Sequence, residues 1–228
     1  MKKVKFEDLG LMRYKPCWDY QEEVFKDIVS QKIASRKSSA KEENNVHPTS
    51  RLIFVEHPHV LTLGRSGDAS NVIVSPARLA ELGVDYFPIN RGGDITYHGP
   101  GQLVAYPIFD LAQYFTDIHK YLRFLEEAVI RTCGDFGVDA GRIDGLTGVW
   151  IDVDSGINAR KICAFGVKAS RWVTMHGLAF NVDSDLDFFD LIVPCGIADR
   201  GVTTLSKEVG RKVSLEEVKP ILKRHLKD

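Results

Sequence analysis

The sequence predicts an α/β (α+β) chain, a mixed β-sheet with flanking helices, on three observations. Short apolar runs of strand length (residues 52–55, 103–109 and 176–182) recur between turns rich in glycine and proline. Amphipathic helical stretches interrupt them without the regular alternation of a doubly wound parallel sheet. The 228 residues, 44% of them apolar, suffice for a packed core, and no repeat or linker divides residues 1–228 into more than one domain.

The elements follow in order. Residues 4–9 alternate loosely, as an edge strand does. Residues 19–35 read as a helix capped by Asp19, with Tyr20, Val24, Ile28 and Ile33 as its apolar stripe. Residues 35–50 are polar and patternless and read as a mobile surface loop. A buried strand follows at 52–55, and 60–65 runs into a glycine turn. Ser75 and Pro76 open a short helix over 76–82 that Gly83 stops. Residues 84–89 and 103–109 are strand-like. Residues 117–136 form a strongly amphipathic helix ended by Gly137. Strands are expected at 149–153, 161–167 and 176–182. Ser214 and Glu217 make a capping box for a last helix, whose Lys219, Lys223, Arg224 and Lys227 read as a solvated face.

Composition removes several function classes. Thirty basic against 31 acidic residues give a net charge of −1, with no footprint for nucleic acid. No apolar run approaches the roughly 20 residues that span a bilayer. The amino terminus has a basic start and no apolar h-region, unlike a signal peptide. Cys17, Cys133, Cys163 and Cys195 form no Cys-x-x-Cys pair, which points to a reducing, cytoplasmic setting. His57 and His59 flank a proline, and no spaced Cys/His set predicts a metal. Neither a P-loop nor a Gly-x-Gly-x-x-Gly turn is present, so no nucleotide cofactor is expected.

The densest chemistry lies in Arg91-Gly92-Gly93-Asp94-Ile95-Thr96-Tyr97-His98-Gly99-Pro100-Gly101-Gln102, between two strand-like runs. Glycines bare the backbone for close approach, while the arginine, hydroxyls, imidazole and amide offer directional hydrogen bonds. Such a run reads as the floor of a binding site carried on a sheet. Further on, Cys195 stands in Pro194-Cys195-Gly196 after an apolar run, and Lys161 opens Lys161-Ile162-Cys163-Ala164-Phe165-Gly166. In a regular strand Lys161, Cys163 and Phe165 share one face. A lysine there fits a cleft in which its charge favours a nearby thiolate, although a lone strand-end lysine more often snorkels to water.

The 91–102 run resembles the signature of the octanoyltransferases, the lipoate-protein ligase B family, with Asp94 where many members carry Gln. Lys-Ile-x-x-x-Gly at 161–166, Thr-Gly-Val-Trp at 147–150, His-Gly-Leu-Ala-x-Asn at 176–181 and Pro-Cys-Gly at 194–196 match the same family. The resemblance implies the fold of the biotin and lipoate protein ligase catalytic domain. It also implies transfer of an octanoyl group from octanoyl-acyl carrier protein through a Cys195 thioester, with Lys161 as proton shuttle. The acceptor would be a lysine of lipoyl domains, such as glycine cleavage H protein and 2-oxoacid dehydrogenase E2 subunits. By the same resemblance Arg91, Gly92, Gly93, Asp94, Ile95, Thr96, Tyr97, His98, Ala164, Phe165, Gly166, His176, Gly177 and Leu178 bind the acyl substrate, and no cofactor, nucleic acid or membrane is involved. Residues 147–150 would form a wall, the glycines at 92, 93, 166 and 177 would leave room for an acyl tunnel, and Arg160, Lys168 and Arg171 would form a basic rim. Two other readings stay open at this point: an ATP-dependent lipoate or biotin ligase of the same fold, and a non-enzymatic acyl-carrier-binding protein.

Overall fold

The computed structural model describes residues 4–38, 48–193 and 200–227. Its frame is a mixed sheet of eight strands: β1 (Val4–Leu11), β2 (Ser50–Glu56), β6 (Gln102–Ile108), β7 (Gly141–Ile143), β8 (Leu146–Ile151), β9 (Arg160–Ser170), β10 (Val173–Asn181) and β11 (Gly201–Val202). The order across the sheet is β1-β2-β6-β10-β9-β8-β7, with β11 beside β9. β1 and β11 pair in parallel with their neighbours, and the other ladders are antiparallel. A second, three-stranded sheet orders β4 (Asp85–Pro88), β3 (Val60–Leu63) and β5 (Ile95–His98).

Period-two alternation sends Leu52, Phe54, Leu103 and Ala105 to one face of the large sheet and Ile53, Val55, Val104 and Tyr106 to the other. The first face is covered by α3 (Ile118–Asp135), whose Leu125 and Val129 are wholly buried, and by α5 (Leu215–His225) with Val218 and Leu222. The second face receives α1 (Tyr14–Ser38) through Cys17, Val24, Phe25 and Ile28. Two short α-helices, α2 (Pro76–Glu81) and α4 (Leu205–Val209), and four 3-10 segments complete the regular elements of the described residues.

Most expected elements are found, with three differences. α1 starts at Tyr14, ahead of the expected Asp19, because its buried stripe begins there with Tyr14, Cys17, Gln21, Val24, Phe25 and Ile28. Pro16 is tolerated near its start because the first N–H groups of a helix have no intrahelical acceptor. Asp19 therefore lies inside the helix and pairs with Lys15, one turn earlier. Of residues 35–50, the helix takes those through Ser38 and β2 begins at Ser50, while 39–47 lie outside the described residues. The basic end of α5 is only partly a solvated face: Lys219 bonds Asp8 of β1 at 2.9 Å, and Lys223 sits 3.5 Å above the Phe6 ring. Ser75 and the Ser214/Glu217 box cap their helices as expected, and Asp117, placed inside the expected helix, caps α3.

Candidate active site

A cavity of about 290 Å³ lies on the α1 side of the large sheet, between it and the three-stranded sheet. One wall descends from the glycine-rich run. Arg91 is buried, and its guanidinium donates to the Thr62 carbonyl at 2.7 Å and to Thr62 Oγ1 at 3.0 Å. The Gly92 N–H donates to the Val167 carbonyl at 2.9 Å, which fastens the loop to β9. The 64–66 backbone is zipped to the carbonyls of residues 91, 93 and 94. That zip requires Gly64, where a Cβ would stand 2.1 Å from the Gly93 oxygen.

His98 sits beneath this loop in a closed network. Gln102 donates through its amide to the Tyr97 carbonyl and to Asn181 Oδ1, so its Oε1 accepts from His98 Nδ1 at 2.7 Å. Burial, reinforced by His57 and Arg91, holds the His98 pKa down to about 3. His57 lies next to it with its pKa at about 4, lowered by burial. Its Nδ1–H donates to the Met12 carbonyl, leaving Nε2 to accept from the Tyr106 hydroxyl at 2.9 Å. Both imidazoles are neutral. His176 completes the set with a left-handed φ of 62° and a pKa lowered to about 3 by burial, and then by Arg91 and Lys168. Neither of its ring nitrogens has a hydrogen-bond partner among the described residues.

The other wall depends on an irregularity in β9. Val149 pairs with Cys163 but Trp150 pairs with Lys161, so β9 carries one residue more than β8 between these positions. The extra residue breaks the expected alternation. Ile162 and Cys163 both enter the helix-side core, whereas Lys161 lines the cavity, 4.6 Å from the centroid of the Trp150 ring. Lys161 and Cys163 therefore do not share a face, and Cys163 does not line the site. Arg200 lies on Trp150 as well, with Cζ 5.6 Å from the ring centroid. Its successors, Gly201 and Val202, pair with Arg160 and Lys161.

Of the residues expected to bind substrate, Arg91, Gly93, Asp94, Ile95, Thr96, His98, Ala164, Phe165, Gly166, His176, Gly177 and Leu178 line the cavity, as does Lys161. Gly92 and Tyr97 do not. Gly92 is spent on the β9 link, and Tyr97 is buried in the small sheet's core, bonded to His59 at 2.8 Å and stacked on Phe188. Two of the glycines expected to open a tunnel, Gly166 and Gly177, serve close packing instead. A Cβ on Gly166 would stand 2.7 Å from Arg91 Cδ, and one on Gly177 would stand 2.1 Å from the Ala105 oxygen. They permit close packing of arginine and backbone. Thr147 and Trp150 belong to the wall, whereas Val149 belongs to the helix-side core. Of the expected rim, Arg160 is held by Glu208 and Asp152, and Lys168 by Glu22.

Pro194, Cys195 and Gly196 lie outside the described residues. The chain leading to them is well fixed. Asp94 accepts from Asn71 Nδ2 at 2.8 Å, the Asn71 carbonyl accepts from the Val193 N–H at 2.8 Å, and Val72 bridges to Ile192. Cys17, Cys133 and Cys163 are fully buried, and burial pushes all three thiols up: Cys17 and Cys133 to about 12, and Cys163 well above its ordinary value. Tyr14, Tyr106 and Arg200, not singled out from the sequence, also line the cavity. Their signal was weak because each sits in an unremarkable local run, and only the topology joins them.

Comparison with known proteins agrees with this geometry. The catalytic domain of lipoyl protein ligases A and B matches residues 14–227. An octanoyltransferase from Cytophaga hutchinsonii is 57% identical over 99% of this chain and 91% of its own length. In fold, the chain is similar to a bi-partite lipoate protein ligase from Thermoplasma acidophilum (TM-score 0.68, 20% identity, 99% of this chain and 82% of the other). It is also similar to a biotin protein ligase from Aquifex aeolicus (TM-score 0.51, 13% identity, 100% and 69%). The chain belongs to the octanoyltransferase family, acyltransferase enzymes built on the catalytic domain of the lipoyl protein ligases.

Proposed function

We propose that residues 1–228 act as one cytoplasmic catalytic domain that moves an octanoyl group from octanoyl-acyl carrier protein to a lysine of lipoyl domains. The group passes through a thioester on Cys195. The carrying observation is the β9 irregularity, which brings Lys161 into a largely apolar cavity whose lining includes Phe189 and Arg200, on either side of the segment holding Cys195. An apolar cavity suits a fatty acyl tail, since each buried methylene contributes about 0.8 kcal/mol. The three buried cysteines support the same assignment, because thiols held protonated by burial are poor nucleophiles.

In this reading Lys161 takes the Cys195 proton, and the thiolate attacks the donor thioester. The donor thiol leaves with that proton. The acceptor amine then attacks the enzyme thioester, forming an amide and returning the cysteine. Glycine cleavage H protein and 2-oxoacid dehydrogenase E2 subunits are acceptors of the right kind. The test is intact-mass measurement after mixing with octanoyl-acyl carrier protein without ATP. One octanoyl increment, removable by hydroxylamine and absent from Cys195→Ala, supports the proposal. Labelling of Cys195→Ala, or a strict need for ATP, refutes it.

A further inference from the structure

Two hydrogen-bond donors near Lys161 have no partner among the described residues: Trp150 Nε1 and Arg200 Nη1. Trp150 is 1% exposed and lines the cavity. A buried indole N–H normally finds an acceptor, and one without it calls for an explanation. The fold fixes this donor from several sides. Its chain neighbours Val149 and Ile151 are packed into the helix-side core. Gly148 makes room, since a Cβ there would stand 2.9 Å from Trp150 Nε1 and 3.2 Å from Lys161 Cε. The indole nitrogen and the lysine stem thus crowd around one point, and the Arg200 guanidinium lies against the same ring. Neither an indole N–H nor a guanidinium can accept a hydrogen bond. The molecule that suits this corner presents an acceptor oxygen, while the neighbouring cavity asks for an apolar tail. An acyl group with its carbonyl head meets both demands.

We propose that Trp150 Nε1–H, with Arg200 beside it, donates to the carbonyl oxygen of the acyl thioester and stabilises the charge that develops there. This rests on the thioester reading above. As the cysteine sulfur attacks, a C–S bond forms and the carbonyl π pair moves onto oxygen. On collapse that pair returns, the C–S bond to the donor thiol breaks, and the thiol leaves with the proton held by Lys161. The indole keeps its own proton throughout.

The test uses the full-length protein and octanoyl-acyl carrier protein. Trp150→Phe keeps an aromatic ring beside Lys161 and deletes the N–H. Acyl-enzyme formation should slow about 10²-fold, the usual loss for one oxyanion donor, with half-saturation by the carrier little changed. The pH profile of iodoacetamide alkylation should stay as in wild type, because the donor acts on the carbonyl and not on the thiol. Arg200→Gln should give a smaller loss of the same kind. In the wild-type octanoyl-enzyme, the isotope-labelled carbonyl should absorb at lower infrared frequency than the same thioester in aprotic solvent.

A wild-type acylation rate in Trp150→Phe would overturn the proposal. So would an alkylation profile that moves with the rate, which would place the effect on Lys161. An unshifted carbonyl in the wild type would overturn it even if the variant failed to fold. A wild-type protein that never gains the octanoyl mass would instead refute the thioester reading, which separates the two failures.

Discussion

The two faces of the large sheet come from the same strands and carry opposite chemistry. Toward α3 and α5 the buried residues are mainly apolar, from Leu52 and Phe54 to Leu125, Val129 and Leu222, and the buried Glu126 and Thr132 of α3 are both hydrogen-bonded. Toward the cavity, Arg91, His98 and His176 are buried in the midst of apolar neighbours, with His57 close behind. A buried polar group left without a partner costs about 1–3 kcal/mol, so stability alone does not call for such a face. Arg91, His57 and His98 meet that cost with hydrogen bonds; His176 and Trp150 do not. The helix face holds the frame, and the cavity face spends part of that stability on chemistry.

The largest effect expected from this contrast is on Lys161. Lys161→Met should slow octanoyl transfer about 10²–10⁴-fold, the range for loss of a general acid–base group, while the melting temperature changes little. Single-turnover kinetics and a thermal melt on one preparation decide it. A variant that melts early yet transfers normally would reverse the roles given to the two faces.

The complementary change lies on the helix face. Leu125 is fully buried among residues of α3 and the sheet. Leu125→Ala should cost about 2–5 kcal/mol in urea unfolding, through lost transfer energy and the space left behind. Activity per folded molecule should be retained. A selective loss of activity at full stability would mean that the core positions the site more directly than the packing suggests.

The helix face was the legible one. The stripe at Tyr121, Leu125 and Val129 and the short apolar run at 52–55 give α3 and β2 from the local sequence alone, and the Ser214/Glu217 box is local chemistry. The glycine-rich run was readable as a site because its composition exceeds what a turn needs. The Lys161 wall was only half readable. Strict alternation puts Lys161 with Cys163, and the extra residue in β9 separates them. Such an irregularity is set by pairing with β8, which no window of β9 reports. Tyr14 escaped for a similar reason: it reaches the cavity from α1, far away in sequence, and only the sheet order brings it to Arg91 and His98. Gly166 and Gly177 misled in the opposite sense, since their missing side chains made room for Arg91 and for backbone.

The buried histidines give the contrast a pH dependence. His57, His98 and His176 are held neutral, with pKa values of about 4, 3 and 3, against about 6.5 for the unfolded chain. Below pH 6.5 the unfolded state binds protons that the folded state refuses. Stability is therefore full above pH 6.5 and falls as pH drops toward 3–4. At pH 5 each histidine should remove on the order of 2 kcal/mol. Urea midpoints at pH 7 and 5 would show the fall, and His98→Gln should reduce its steepness. A flat profile between these values would mean that the cavity face admits the imidazolium ions after all.

The smallest expected effect is at the sheet's edge, where α5 meets β1. Lys219 bonds both Asp8 and Glu216, at 2.9 and 2.7 Å. Burial opposes its charge, but these bonds outweigh that opposition and its pKa is raised. Lys219→Met keeps most of the aliphatic stem against β1 and removes the ammonium. Because Glu216 is well exposed and Asp8 partly so, the pair belongs with surface ion pairs, worth about 0.2–1 kcal/mol. Salt should shrink the difference between variant and wild type, since exposed pairs are screened within a Debye length of about 8 Å at physiological ionic strength. Octanoyl transfer should not change, because this contact is on the helix side, across the sheet from Lys161. A loss above 2 kcal/mol, or one insensitive to salt, would place Lys219 among the buried pairs and make β1 part of the frame. A change in transfer rate would couple the edge to the cavity and weaken the separation between the two faces.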